Sequence, residues 1–222
     1  TKGNSFISFT GGEVLMNEKT LELISYATQL GIDTLLNSNA YLINEDMAKR
    51  LHESGLKKIN LSLDSLNENK HDFIRGTPGS YARVMNAIQY LDKQAINLGI
   101  HINTVIMESN LDDIIPLTLW ALQDSRLSSI HFQAVSQPFA DIPNDRWYER
   151  EEADLLWPKD IKKAEYVLDE LVKLKGVYGE RINNSAWYSS KARVVIDSMR
   201  KCKKNCACVV SCSYDEQEKY IS

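Results

Sequence analysis

The sequence predicts an α/β fold built on a parallel sheet, and three observations lead to this prediction. Short runs rich in leucine and β-branched residues recur along the 222-residue chain, as in strands buried within parallel sheets. Segments with apolar residues at helical spacing separate these runs, and each run ends in or close to polar residues or glycine. Alternating strands and helices form βα units, whose right-handed crossovers bring the carboxyl ends of the strands to one rim.

Five runs are predicted as strands, in the ranges 6–13, 33–39, 58–65, 101–107 and 130–135. The first of them ends in Gly11-Gly12-Glu13, where two glycines allow the backbone to approach a ligand closely and a carboxylate follows. Ligands bind at the carboxyl ends of strands in such folds. The alternative for this motif is an ordinary Gly-Gly turn.

Five segments between and after these strands are predicted as helices, in the ranges 19–30, 44–54, 81–92, 111–124 and 160–175. The second has a good N-cap in Asn44 and a good stop in Gly55. The fold class that follows is α/β with parallel strands.

Several strand ends are similar to the motifs of one enzyme family. Gly11-Gly12-Glu13 is similar to a Gly-Gly-Glu-Pro motif, with Val14 in place of the proline. Residues 36–40 are similar to a Thr-Asn-Gly strand end, and residues 59–65 with 71–76 are similar to a fourth strand and the arginine segment after it. Residues 102–106, with Asn110 beyond, and residues 130–135 are similar to the fifth and sixth strands. In this order, the motifs resemble the radical S-adenosylmethionine (radical SAM) superfamily, in the branch like molybdenum cofactor biosynthesis protein A that carries auxiliary clusters.

The resemblance implies a partial (β/α)6 TIM-like barrel over residues 1–176, followed by a Cys-rich C-terminal extension over 177–222. It also implies that the first βα unit, with the Cys-x3-Cys-x2-Cys loop that holds the family's [4Fe–4S] cluster, is missing from this chain. A truncated N-terminus is the first explanation, and a protein that evolved without the cluster is the second. Residues 137–157 are expected to form a long loop on the catalytic rim, either as a wall of the substrate site or as a surface excursion anchored by Trp147 and Trp157.

The resemblance further implies that the rim binds S-adenosylmethionine. In the family, a reduced cluster passes an electron to this cofactor and generates a 5′-deoxyadenosyl radical, so no side chain is needed as a general acid or base. The residues expected to bind it are Gly11, Gly12 and Glu13 at the amino group, Arg75 and Ser62 at the carboxylate, Asn103 or Asp64 at the ribose, and Asn39 on the same rim. Two alternatives stay open: Asp64 caps the segment after its strand, and Arg75 pairs with Asp72.

The four histidines are given no role by the sequence. His52 and His71 lack ligand-like neighbours and are expected at the surface, whereas His101 and His131 begin or lie within strands.

All four cysteines cluster near the C-terminus, as Cys202, Cys206, Cys208 and Cys212. Four thiolates can hold a [4Fe–4S] cluster or close a tetrahedral zinc site, and the basic residues beside them favour thiolates. We expect one metal centre here, an auxiliary iron–sulfur cluster first and zinc second, with free thiols as the remaining possibility.

Charge and hydropathy narrow the possible partners. The net charge of −4 argues against general nucleic-acid binding, and no apolar stretch is long enough to cross a membrane. We expect a cytoplasmic radical SAM enzyme that acts on a small molecule or a peptide, with a reductant such as ferredoxin or flavodoxin. The alternative is a cluster-less barrel that binds a small molecule or a partner protein and keeps a structural metal centre at its tail.

Overall fold

Five strands form one parallel sheet in chain order, as the sequence predicts. A computed structural model describes residues 6–94, 98–135 and 147–184. The strands are β1 (Phe6–Phe9), β2 (Asp33–Ser38), β3 (Lys58–Ser62), β4 (Gly99–Ile106) and β5 (Ser129–Ala134). The helices are α1 (Thr20–Gln29), α2 (Glu45–Glu53), α3 (Glu68–Arg75), α4 (Ser80–Gln94), α5 (Ile114–Gln123) and α6 (Ile161–Tyr178).

The two faces of the sheet differ in chemistry because side chains alternate along each strand. One face contributes apolar residues such as Leu36, Leu61 and Ile102 to the core, which the helices cover. The opposite face, called the inner face below, carries polar residues that are only partly buried. These are Asn37, Asn60, Ser62, His101, Asn103 and His131. Parallel strands in chain order with crossovers of one hand place their helices on one side, which explains this division.

The helices predicted from periodicity are present, with ends that differ from the prediction by three residues or fewer. Asn44 caps α2 by accepting the N–H of Met47 at 2.8 Å, as its sequence position predicts. Helix α3 was not predicted as a helix. It begins after Asn67, which accepts the N–H of Lys70 at 3.1 Å, and ends at Gly76, whose φ of 63° is favourable for glycine.

The chain after α6 returns to the outer edge of β5. Ile182 pairs with Ile130 as a parallel bridge, and the side chain of Asn184 both accepts from and donates to the backbone of Phe132, at 2.9 and 2.8 Å. Nη2 of Arg181 lies 3.0–3.2 Å from three carbonyl oxygens at and beyond the C-terminal end of α5. This return fixes the described chain to β5 up to residue 184.

Within the described ranges, no helix is both long enough and apolar enough to cross a membrane.

Candidate cofactor site

Glu13 joins the carboxyl ends of β1 and β2. Its carboxylate accepts the N–H of Asn39 at 2.9 Å, the hydroxyl of Ser38 at 3.1 Å from each oxygen, and the N–H of Leu15 at 3.2 Å. An ionised carboxylate offers about four lone-pair positions. With three donors bound and the residue only half-buried, Glu13 can accept one more.

The backbone of Gly11 and Gly12 is open beside Glu13. Gly11 has a φ of 153°, which side-chain-bearing residues rarely adopt, and a Cβ built on either glycine would have no described atom within 4 Å. No described residue donates a hydrogen bond to either carbonyl oxygen. This turn therefore offers accessible backbone acceptors at the rim.

Asp64 is the most connected residue of the rim, although only 1% of it is exposed. Its Oδ1 accepts the N–H of Val105 at 3.1 Å, and its carbonyl oxygen accepts from the side chain of Asn110 at 3.0 Å. Its own N–H donates to Nδ1 of His71 at 3.2 Å. Its Oδ2 lies 2.7 Å from Nε of Arg75, as an ion pair without the alignment of a hydrogen bond. Asp64 thus joins β3, β4 and α3 at one point.

Arg75 presents its guanidinium at the end of α3. Nε faces Asp64, and the two terminal NH2 groups have no partner in the described part of the chain. The side chain is 27% exposed, so these donors can reach a ligand. A guanidinium fork matches a carboxylate in a bidentate arrangement.

Asp72 does not pair with Arg75, which was the alternative that the sequence left open. Its carboxylate accepts the N–H groups of Tyr81 at 2.8 Å and of Gly79, at the start of α4. The hydrogen bond from Tyr81, followed by that from Gly79, lowers the pKa of Asp72. Asp72 therefore ties the segment after Arg75 to α4.

The other predicted site residues lie on the inner face or at its rim. Asn103 stands opposite Ser62 in the β3–β4 register, and its Oδ1 is buried without a described partner. A buried acceptor without a donor is costly, and a ligand hydroxyl would satisfy it. Oδ1 of Asn39 accepts the N–H of Tyr41 at 2.9 Å, so this oxygen holds its own turn.

A row of amides crosses the inner face one layer below. Asn60 donates to Oδ1 of Asn37 at 2.9 Å, and Asn37 donates to the hydroxyl of Ser8 and the carbonyl of Phe9, both at 3.2 Å. We call Ser8, Asn37 and Asn60 the amide ladder. His101 continues this layer in register with Asn60, and burial, followed by the charge of Lys58, lowers the pKa of His101 to about 4.

The prediction for His71 was wrong, because the structure buries it completely. His52 is exposed, as predicted. Asn110 is also fully buried, and its side chain binds the backbone of Asp64, Val105 and Met107. The i, i+4 spacing of His71 and Arg75 would have placed both on one face of a helix, had α3 been recognised.

The loop before α6 contacts the rim after β4. Backbone N–H groups of Glu108 and Ser109 donate to the carbonyls of Leu156 and Leu155, at 3.0 and 3.1 Å. Trp147 and Trp157 pack edge to face with ring centroids 5.5 Å apart. Residues 137–146 of the expected loop lie outside the described residues. A substrate-facing role for this loop stays a prediction.

The predicted metal ligands Cys202, Cys206, Cys208 and Cys212 lie outside the described residues. Within those residues, no group of three or more His, Cys, Asp or Glu side chains could hold a metal ion. The described part of the chain therefore offers no ligand set for an iron–sulfur cluster.

Comparison with known families identifies the superfamily of this chain. A family model described as the radical SAM superfamily matches residues 2–121, which is more than half of the chain. The chain therefore belongs to the radical SAM superfamily, whose enzymes use S-adenosylmethionine and a [4Fe–4S] cluster.

Several curated relatives are similar over the same part of the chain. An AdoMet-dependent heme synthase of Nitratidesulfovibrio vulgaris is 37% identical over 109 residues, which are 49% of this chain and 29% of that protein. An Fe-coproporphyrin III synthase of Methanosarcina barkeri is 31% identical, over 59% of this chain and 32% of the relative. A GTP 3′,8-cyclase of Clostridium botulinum is 36% identical, over 52% and 37%. The chain thus spans about a third of the length of these relatives.

Solved structures agree with the fold. Streptococcus suis SuiB bound to S-adenosylmethionine matches with a TM-score of 0.58 at 19% identity, over 77% of this chain and 37% of SuiB. Coproporphyrinogen III oxidase (HemN) of Escherichia coli matches with a TM-score of 0.56 at 12% identity, over 79% and 41%. At these identities the likeness concerns the fold, a TIM-barrel-like arrangement.

Proposed function

We propose that this chain carries the S-adenosylmethionine site of a radical SAM enzyme that acts on a small molecule or a peptide. The observation that carries the proposal is the guanidinium of Arg75, which Asp64 holds at the rim and whose terminal NH2 groups have no partner among the described residues. Those groups supply donors for the carboxylate of the cofactor, with the hydroxyl of Ser62 as a second donor.

The remaining groups of the cofactor have partners on the same rim. The carbonyls of Gly11 and Gly12 and the carboxylate of Glu13 can accept from its ammonium group. The buried Oδ1 of Asn103 can accept from a ribose hydroxyl. Asp64 acts through Arg75, because its carboxylate is buried against Val105 and Arg75.

The cofactor and a [4Fe–4S] cluster supply the one-electron chemistry when bound. The residues of this chain bind, orient and shield, and none of them is required to transfer a proton. The substrate is proposed only as a class, since the relatives are named for tetrapyrrole and nucleotide chemistry and a solved neighbour is SuiB bound to the precursor peptide SuiA.

The first prediction concerns affinity for S-adenosylmethionine in the holoenzyme. Gly12→Val fills open space that no described residue occupies, so we expect it to block the ligand without a clash inside the protein. Arg75→Lys keeps a cation beside Asp64 but removes the fork, and we expect a loss of about tenfold or more in affinity. Isothermal titration calorimetry measures both.

Matched controls are Gly176→Val, at an exposed glycine of α6 with nothing within 4 Å, and Arg50→Lys, at an exposed arginine of α2. Both should bind like the unchanged protein. If Gly12→Val and Arg75→Lys also bind like the unchanged protein, the proposed site is wrong and the cofactor is bound by other residues.

A further inference from the structure

His71 occupies a buried position directly behind the proposed cofactor site. None of its surface is exposed, and it packs edge to face with Tyr81 at a centroid distance of 6.3 Å. It lies one helical turn before Arg75 on α3. Of its two ring nitrogens, Nδ1 has a hydrogen-bond partner in the backbone of Asp64, whereas Nε2 is buried without a partner among the described residues.

The hydrogen bond to Asp64 fixes the chemical form of the ring. Nδ1 lies 3.2 Å from the N–H of Asp64, which can only donate, so Nδ1 is the acceptor and Nε2 carries the proton. A protonated ring would present an N–H to another N–H. Burial, the largest effect, lowers the pKa of His71 to about 4, so the ring is neutral near pH 7; Asp64, Arg75 and Asp72 are the charged groups around it.

Among the strands that the structure describes, none is available to accept the N–H of Asp64. On the β4 side, the N–H of Leu63 donates to Asn103, and on the other side the β2–β3 pairing ends at Leu61 opposite Ser38. Asp64 is buried, so an unpaired N–H here would cost about 1–3 kcal/mol. His71 supplies the acceptor at the point where the sheet stops.

The orientation of Arg75 depends on this point. The carboxylate of Asp64 reaches Val105 through Oδ1 and Arg75 through Oδ2, so a shift of the Asp64 backbone moves the group that holds the guanidinium. We propose that His71 is a positioning residue for S-adenosylmethionine binding, acting through the backbone of Asp64 on the carboxylate that orients Arg75. The inference rests on the proposed function, because it assumes that Arg75 binds the cofactor.

Two carboxamide variants test the position of the acceptor. In His71→Asn, the side-chain oxygen can take the place of Nδ1, whereas in His71→Gln the carboxamide reaches the position of Nε2. We expect His71→Asn to bind S-adenosylmethionine like the unchanged holoenzyme and His71→Gln to bind it about tenfold more weakly. The matched controls are His52→Asn and His52→Gln at an exposed histidine of α2, and both should bind normally.

Amide hydrogen exchange of Asp64 in the 222-residue chain gives a second measurement that needs no cofactor. Exchange should stay slow in His71→Asn and become faster in His71→Gln. The inference is overturned if His71→Gln binds the cofactor normally, if His71→Asn binds as weakly as His71→Gln, or if exchange at Asp64 is the same in both. If Arg75→Lys also binds normally, the proposed site itself fails, so the two failures are distinguishable.

Discussion

At the scale of single residues, the rim is held by side chains that replace missing backbone partners. Where the β3–β4 ladder ends, the carboxylate of Asp64 accepts the N–H of Val105. Where β1 and β2 end, Glu13 accepts the N–H of Asn39. The same residue types that the sequence assigns to ligand binding therefore also connect the strand ends.

The buried side chain of His71 should make the stability of the protein depend on pH. His71 has a pKa of about 4 in the folded protein and about 6.5 in the unfolded chain, so the unfolded chain takes up the proton first as pH falls. The contribution of His71 to the free energy of unfolding is therefore fully present above pH 6.5, and it is lost as pH falls from 6.5 towards 4. We expect a loss of about 2 kcal/mol between pH 7 and pH 5 from His71 alone.

Urea unfolding of the 222-residue chain at several pH values measures this effect. His71→Asn should reduce the dependence, and the exposed His52→Asn should leave it unchanged. The pKa of His101 is also lowered to about 4, so His101 should account for the pH dependence of the free energy of unfolding that remains in His71→Asn. An identical pH dependence in His71→Asn and the unchanged chain would contradict the prediction.

At the scale of elements, the sequence predicted the strands and helices that bury apolar residues, but not the helix that is held by its caps and one polar residue. Strand β3 and helix α4 bury apolar residues at regular spacing, and periodicity predicted both. Helix α3 buries only His71, and its ends are set by Asn67 and Gly76, so hydrophobic periodicity gave no signal. Hydrogen bonds between separate elements, such as the one from Asp64 to His71, arise only when the fold brings α3 beside the end of β3.

The side chain of Asn184 is expected to stabilise the edge of β5. Its side chain acts in place of a strand, accepting from and donating to the backbone of Phe132. Asn184→Ala should leave both backbone groups unpaired and lower the free energy of unfolding by about 2 kcal/mol. Thermal and urea unfolding measure the change.

The matched control is the neighbouring Asn183→Ala. Asn183 is exposed, and the hydrogen bonds described for it, to Ile130 and His131, use its backbone. It should therefore unfold like the unchanged chain. Equal stability of Asn184→Ala and Asn183→Ala would mean that the edge of β5 does not need this side chain.

At the scale of the whole molecule, the four cysteines near the C-terminus predict a metal centre outside the sheet residues. We expect Cys202, Cys206, Cys208 and Cys212 to bind one metal centre, because they cluster at the end of an otherwise cysteine-free sequence. Anaerobic reconstitution of the 222-residue chain should give about four irons with broad visible absorption, or about one zinc without colour. A variant with all four changed to alanine should bind neither metal.

Four freely titratable thiols after reconstitution, with neither metal bound, would exclude both kinds of centre.

The amide ladder also bears on how the sheet finds its alignment during folding. Because side chains alternate, a one-residue slip of β3 against β2 would place Asn60 among the apolar helix contacts and turn Ile59 and Leu61 to the inner face. The slip would also break the hydrogen bonds that join Asn60, Asn37 and Ser8. A misaligned sheet therefore loses favourable contacts on both faces at once, so the amide ladder favours the correct alignment of β3 against β2.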